Sequence, residues 1–94
     1  MDRFKLLVFS YYREEPQIQK ILGPLNSCRI FRSGDSIQIQ CLDLQHHREM
    51  RQLMVFLGPP FARLGLAKEL VLTDPAFIRN TYTMQLRSNS DLFS

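Results

Sequence analysis

An alternating segment beside a glycine turn places a β-hairpin in the first half of the chain. Residues 36–41, Ser-Ile-Gln-Ile-Gln-Cys, alternate between polar and apolar side chains, and residues 28–32 precede them. The turn that joins the two runs is Ser33-Gly34-Asp35. Strand side chains point alternately to the two faces, and glycine permits the tight turn that connects antiparallel strands. The pattern therefore predicts a β-hairpin, so part of the fold is a sheet.

Two further strands are predicted on either side of this hairpin. Residues 4–12 combine bulky apolar side chains with Tyr11 and Tyr12 and contain neither glycine nor proline, which favours a strand. Both faces of that strand are apolar, so we expect it to lie in the centre of the sheet. Residues 69–73, Glu-Leu-Val-Leu-Thr, predict the other strand.

Two helices are predicted between the strands. Pro16 follows two glutamates and suits the first position of a short helix, which Gly23-Pro24 ends. Asp43 is a suitable N-cap for the second helix, and Gly58-Pro59-Pro60 is expected to stop it. The apolar stripe expected on the second helix consists of Met50, Leu53, Met54 and Leu57.

The C-terminal segment carries mixed signals. Asp74-Pro75 has the pattern of a helix start, whereas residues 81–84 are rich in β-branched and aromatic side chains. We predict a short turn over 75–79 and then an extended segment over 80–87, which adds to a sheet edge of this chain or of a partner. Its side chains available for contacts are Ile78, Tyr82, Met84 and Leu86.

The predicted elements follow one another as strand, helix, strand, strand, helix, strand. This is the β-α-β-β-α-β order of a ferredoxin-like sandwich, in which a four-stranded antiparallel sheet carries two helices on one face. A chain of 94 residues has the size of one domain. We therefore expect a single α+β domain over residues 1–87, including the C-terminal extended segment, and a disordered tail over residues 88–94.

Charge and cysteine content narrow the functional classes. The formal net charge of +3 contains no run of like charges, so it permits binding to a polyanion without requiring it. The two cysteines form no CxxC motif, and no signal segment precedes them, which favours reduced thiols in a cytoplasmic protein. The apolar runs are also too short to span a membrane.

The adjacent pair His46-His47 is the first candidate for chemistry. Neighbouring helical positions diverge by about 100°, so the two rings do not readily face one metal ion. Cys41 or Asp43 would be the further ligand, but the chain contains no recognised spacing of metal ligands. We therefore predict no metal and no catalytic residue at this position.

Cys41 is the other candidate for chemistry. It shares a strand face with Ile37 and Ile39, so we interpret it as a small buried side chain rather than a reactive thiol. The sequence also lacks a nucleophile elbow and a glycine-rich phosphate loop, and its glycines are scattered. We expect a non-catalytic protein without a cofactor.

The remaining hypothesis concerns the sheet face that the two helices leave uncovered. Apolar side chains on such a face form a patch that a partner usually covers. We predict a small protein-interaction or regulatory module, which associates with itself or with another protein; the alternative is RNA or single-stranded DNA binding on the same face. The predicted interaction face consists of Leu7, Phe9, Tyr11, Phe31 and Val71, with Arg29 and Arg32 as its polar rim.

Overall fold

The chain folds into an α+β structure in which helices cover one face of a four-stranded mixed sheet. A computed structural model describes residues 3–63, 65, 67–74 and 77–86. The elements are α1 (Arg3–Tyr11), α2 (Pro16–Ile21), a 3-10 helix (Gly23–Ser27), β1 (Arg29–Ser33), β2 (Ser36–Gln40), α3 (Leu44–Arg63), β3 (Glu69–Asp74) and β4 (Phe77–Gln85).

The predicted hairpin is confirmed as β1 and β2. These strands pair antiparallel, and the last pair, Ser33 with Ser36, leaves Gly34 and Asp35 as a two-residue loop. Gly34 has a φ of +59°, and such loops with glycine at their first position match the right-handed twist of the strands. The glycine therefore fixes the register of the whole hairpin.

The ferredoxin-like, all-antiparallel arrangement is wrong. The strands lie in the order β1-β2-β3-β4, and β2 pairs with β3 in parallel. The physical reason is α3, which carries the chain from the end of β2 back to the start of β3, as a parallel neighbour requires. The β1–β2 and β3–β4 pairs are antiparallel.

The segment predicted as the first strand is a helix, α1. Its burial follows a helical spacing, because Val8 is fully buried, Phe4 and Leu7 are half-buried, and Leu6 is 54% exposed. Phe4 packs against Phe61 of α3 with 6.0 Å between ring centroids. The β-propensity of the segment is overridden by this packing on α3.

Helix α3 continues through the proline pair at which it was predicted to stop. Proline lacks the N–H that bonds the carbonyl four residues earlier, so Pro60 leaves the carbonyl of Phe56 without its usual helical donor. The hydroxyl of Tyr12 donates to that carbonyl oxygen at 2.6 Å. A side chain from outside the helix thus replaces the missing hydrogen bond, and the helix reaches Arg63.

Other predicted elements agree with the structure. Pro16 occupies the start of α2, and the strand predicted at 69–73 is β3. Asp43 caps α3 as predicted, because its Oδ1 accepts a hydrogen bond from the N–H of His46 at 2.8 Å. The stripe on α3 is buried against the inner face of the sheet. The core side chains that meet there are Met50, Leu53, Met54 and Leu57 from α3 with Ile37, Ile39, Leu70 and Leu72 from the sheet.

The C-terminal extended segment does add to a sheet edge of its own chain. β4 pairs antiparallel with β3 and begins at Phe77, inside the stretch predicted as a turn. Its Tyr82, Met84 and Leu86 pack against the core. The tail predicted for 88–94 lies outside the described residues. No helix in the described part of the chain is long and apolar enough to cross a membrane.

Candidate functional site

The predicted interaction face is divided between a helix and the sheet. Leu7 and Phe9 lie on α1 and pack against the core, while Tyr11 at the end of α1 is 41% exposed. Phe31 and Val71 lie on the sheet, on the face opposite the core. The five side chains therefore do not form one continuous surface, because three of them were placed on a strand that does not exist.

The outer face of the sheet is the face that points away from α1 and α3. Strand register places Phe31, Gln38, Val71 and Thr83 in one row across all four strands. Residues paired in this way project their side chains to the same side of a sheet. The neighbouring rows are Arg29, Gln40 and Thr73 on one side, and Ser33, Ser36, Glu69 and Gln85 on the other.

The charges of the outer face are engaged within it. The guanidinium of Arg29 lies 5.7 Å from the ring centroid of Phe31. Glu69 accepts a hydrogen bond from Ser36 Oγ at 2.6 Å and another from Gln85 Nε2 at 3.1 Å. The face thus presents the half-buried ring of Phe31 among amides and hydroxyls, while Val71 in the same row is only 8% exposed.

The two arginines of the predicted rim do not share a face. They are three positions apart on β1, and an odd separation on a strand turns side chains to opposite sides. Arg32 instead donates from Nε to the carbonyl of Gly34 at 3.2 Å. Only Arg29 belongs to the outer face.

A second group of reactive side chains lies at one end of the sheet. Cys28, Cys41 and His46 form a thiol cluster, in which one sulfur or nitrogen atom from each residue lies within 4.8 Å of the others. All three are buried, with 3%, 2% and 7% of their surface exposed. The cluster joins the start of β1, the end of β2 and the first turn of α3.

Chain geometry explains why these residues meet. The register that pairs Arg29 with Gln40 places Cys28 opposite Cys41 at the next position out. Helix α3 starts three residues after Cys41, which brings His46 over the two thiols. Sequence reasoning considered Cys41 beside His46 but missed Cys28, because the predicted turn Ser33-Gly34-Asp35 is one residue longer than the observed loop and shifts the register that brings the cysteines together.

Hydrogen bonds hold His46 in a single orientation. Its Nδ1 accepts from the backbone N–H of Leu42 at 2.9 Å, and its Nε2 lies 2.8 Å from the carbonyl oxygen of Pro24. A carbonyl only accepts, so Nε2 carries the proton and donates. With the Asp43 cap on its own N–H, His46 ties the start of α3 to the 3-10 helix, in the manner of a capping box.

The two neighbouring thiols have pKa values shifted in opposite directions. The thiol of Cys41 lowers the pKa of Cys28, against the opposing effect of burial and with help from the charge of Lys5. The thiol of Cys28 raises the pKa of Cys41, and burial and the negative charge of Asp74 act in that direction too. These directions favour Cys28 as the thiolate of the pair.

The thiol cluster has the donor types of a zinc site, but its hydrogen bonds occupy the atoms that would bind the metal. A metal at His46 Nε2 needs a lone pair on that nitrogen. That nitrogen instead carries a proton for the carbonyl of Pro24, and the lone pair of Nδ1 is taken by the N–H of Leu42. Asp43, the other suggested ligand, caps α3. The arrangement fits two neighbouring thiols beside a hydrogen-bonded histidine better than a metal centre.

His47 differs from its neighbour. It is 4% exposed, and its Nε2 is buried without a hydrogen-bond partner among the described residues. It does not belong to the thiol cluster.

An open depression of about 280 Å³ lies where α1 leads into α2. Its lining shares no residue with the thiol cluster, so this depression gives neither Cys41 nor His46 access to a substrate. The lining residues are Ser10, Tyr11, Arg13, Glu14 and Glu15.

Comparisons with known proteins add no further constraint. No family model matches the chain, and neither a curated protein nor a solved structure matches it.

Proposed function

We propose that the chain is a small, non-catalytic protein-interaction module, which associates with a second copy of itself through the outer face of the sheet. The observation that supports this is the central row, where Phe31 and Val71 lie on the side of the sheet opposite α1 and α3. Phe31 is half-buried and Val71 is 8% exposed, so the row offers a partner mainly the accessible part of one aromatic ring. Aromatic side chains within a polar surrounding are typical of contacts with another protein.

The polar groups of the outer face favour a second copy as the partner. Amides such as Gln38 and Gln40 donate and accept hydrogen bonds, and so do the hydroxyls of Thr73 and Thr83. Groups of this kind pair with their own copies across a two-fold axis. Arg29 and Glu69 carry opposite charges, so two copies of this face do not repel each other strongly.

The alternative, binding to RNA or single-stranded DNA, is less well supported by the same face. Sheets that bind RNA stack bases on aromatic side chains of their central strands and add cations for the phosphates. The central strands β2 and β3 instead present Gln38, Gln40, Val71 and Thr73. The one aromatic side chain of the described rows, Phe31, lies on the edge strand and already contacts Arg29.

The area of the outer face limits the affinity expected for the dimer. Four strands about 4.8 Å apart and five residues long at about 3.3 Å per residue give a patch of about 300 Å². Stable interfaces bury about 800 Å² per partner, so a contact limited to this patch is a weak one. We expect a dimer that dissociates in the micromolar range or above.

The test compares the same substitution on the two sides of the molecule. Val71 is 8% exposed, and the long stem of a lysine in Val71→Lys carries the charge from this position out to the middle of the outer face, where two copies would bring the charges together. Val55→Lys changes an α3 residue that is 66% exposed and lies on the helical side. The molar mass of each variant is measured by sedimentation equilibrium as a function of concentration, with circular dichroism as the control for folding.

The wild type and Val55→Lys are expected to approach twice 11.1 kDa as concentration rises, while Val71→Lys stays at 11.1 kDa. A wild type that remains monomeric at its highest soluble concentration contradicts self-association. A Val71→Lys variant that dimerises like the wild type contradicts the assignment of the face. Salt-sensitive binding of a single-stranded oligonucleotide, lost in Val71→Lys, supports the nucleic-acid alternative instead.

A further inference from the structure

The cysteines of the thiol cluster occupy a position from which a disulfide can form. Cys28 has extended backbone angles, φ −81° and ψ 153°, and the N–H of Cys41 bonds the carbonyl of Thr73 at 2.9 Å, so both residues continue their strands. Directly opposed residues of antiparallel strands have Cα atoms about 4.5 to 5.5 Å apart. Disulfides span Cα distances of about 4.4 to 6.8 Å.

The sulfur atoms are also close to each other. They lie within 4.8 Å, and neither cysteine is in a disulfide. A disulfide has an S–S bond of about 2.05 Å, so the two sulfurs must move closer together, as side-chain rotation allows. Strand pairing already places the two residues at a separation of the kind that a disulfide spans.

We propose that Cys28 and Cys41 form a redox-active dithiol, which hydrogen peroxide converts into an intramolecular disulfide across the β1–β2 hairpin. This inference is independent of the proposed function, because the thiol cluster lies at the end of the sheet and not in the central row of the outer face. Peroxide is the oxidant of choice because it is small enough to reach thiols that are almost fully buried.

The reaction proceeds in two balanced steps. The Cys28 thiolate attacks peroxide, an S–O bond forms as the O–O bond breaks, and the hydroxide released takes up the former Cys28 proton as water. The Cys41 sulfur then attacks the sulfur of this sulfenic acid. An S–S bond forms as the S–O bond breaks, and the departing hydroxide leaves as water with the Cys41 proton. Two thiols lose two electrons, and peroxide becomes two waters.

The surroundings assign the first step to Cys28. The Nε2 nitrogen of His46, which carries a proton, lies 3.6 Å from the Cys28 sulfur, and the neighbouring Cys41 thiol lowers the pKa of Cys28. Lys5 adds a positive charge from α1. Cys41 faces negative charge from Asp74 and Asp43 and is the group that resolves the sulfenic acid.

The bond would change the stability of the fold. It closes the hairpin at its open end, opposite the Gly34 turn and beside the start of α3. A closed loop of this length removes conformational freedom from the unfolded chain. The oxidised protein is therefore expected to melt about 10 °C or more above the reduced protein.

The experiment treats the reduced full-length chain with hydrogen peroxide and follows intact mass, free thiols and melting temperature. The expected product is a monomer that has lost two hydrogen atoms and both thiols, in which a peptide map links Cys28 to Cys41. Dithiothreitol should restore the original mass and melting temperature. This measurement needs no variant, so it does not depend on whether a substituted protein folds.

Two matched variants separate the roles of the cysteines. Cys41→Ser should stop at a sulfenic acid on Cys28 that dimedone captures, without a rise in melting temperature. Cys28→Ser should give much less capture at Cys41. Disulfides between chains, unchanged thiols, or sulfinic acid without an internal disulfide would each overturn the proposal, and equal capture in both variants would overturn the order of the steps.

Discussion

The two ends of α3 meet the same physical problem in different ways. At the N-terminal end, backbone N–H groups lack helical partners, and Asp43 and His46 supply hydrogen bonds from the same short stretch of sequence. Near the C-terminal end, Pro60 deprives the carbonyl of Phe56 of its donor, and the hydroxyl of Tyr12, 44 residues away from Phe56, supplies the bond. One end is completed locally and the other only by the tertiary fold.

The two ends of α3 therefore depend on different contacts for their stability. At the N-terminal end, the Asp43 cap and the bond from the Leu42 N–H to His46 join residues that are neighbours in any conformation in which α3 begins to form, and only the bond from His46 to the Pro24 carbonyl needs the 3-10 helix in place. The distant end depends on α1 being docked on α3, where Tyr12 also packs edge-on against the ring of Phe56 at 6.3 Å. Substitutions at the two ends therefore report on different parts of the fold.

The largest effect is expected at the N-terminal end, from the matched pair His46→Phe and His47→Phe. The first removes the partners of the Leu42 N–H and the Pro24 carbonyl, and each unsatisfied group costs about 1 to 3 kcal/mol. We expect a loss of about 3 kcal/mol in the free energy of unfolding, measured in urea.

The second substitution removes a buried nitrogen that lacks a partner among the described residues, so its effect should stay within about 1 kcal/mol. Equal losses in both variants would show that ring shape, and not the hydrogen bonds of His46, accounts for the stability of this end.

The second prediction concerns the proline end. Tyr12→Phe leaves the carbonyl of Phe56 unsatisfied and should cost about 2 kcal/mol. In a Pro60→Ala background, the new backbone N–H of residue 60 bonds that carbonyl, so the same substitution should cost about half as much. A double-mutant cycle measures this coupling at about 1 kcal/mol. Strictly additive losses would refute the replacement of the missing bond by Tyr12.

The smallest expected effect is on alkaline stability. Burial raises the pKa of Tyr12 above its ordinary value, and the neighbouring charges of Tyr11 and Glu15 act in the same direction. The unfolded chain then releases this proton at a lower pH than the folded chain, so Tyr12 contributes stability below about pH 10 and loses it as pH rises further.

Urea unfolding of the wild type and of Tyr12→Phe on either side of this pH checks the sign. The advantage of the wild type should shrink by less than about 1.4 kcal/mol over the first pH unit. An advantage that grows with pH would mean that the hydroxyl is not buried as a donor.

The elements that sequence predicted correctly are those whose information is local. The β1–β2 hairpin follows from alternation and Gly34, and the start of α3 follows from Asp43. Segment 4–12 satisfies two periods at once, since alternation makes both of its faces apolar and helical spacing aligns Phe4, Leu7 and Val8. Packing of this segment on α3 selects the helix over the strand, and that tertiary contact cannot be predicted from the local sequence.

The thiol cluster was predictable in part. The sequence predicts the hairpin that brings Cys28 near Cys41, but only the observed two-residue loop at Gly34 and Asp35, in place of the predicted three-residue turn, puts them opposite each other. The bond from His46 to the carbonyl of Pro24 depends on where the 3-10 helix meets α3, which is a tertiary contact. The outer face was mispredicted for the same reason, because its supposed first strand belongs to the helical layer.

The parallel pairing of β2 with β3 bears on the order in which the sheet assembles. The outer pairs, β1–β2 and β3–β4, close over short connections, whereas the central pair closes only after the whole of α3 has been spanned. Chain entropy opposes that central closure most strongly, and contacts between distant segments are what slow folding. The side chains through which α3 packs on β3 are therefore expected to affect the rate at which the β1–β2 and β3–β4 pairs join, as well as the stability of the joined sheet.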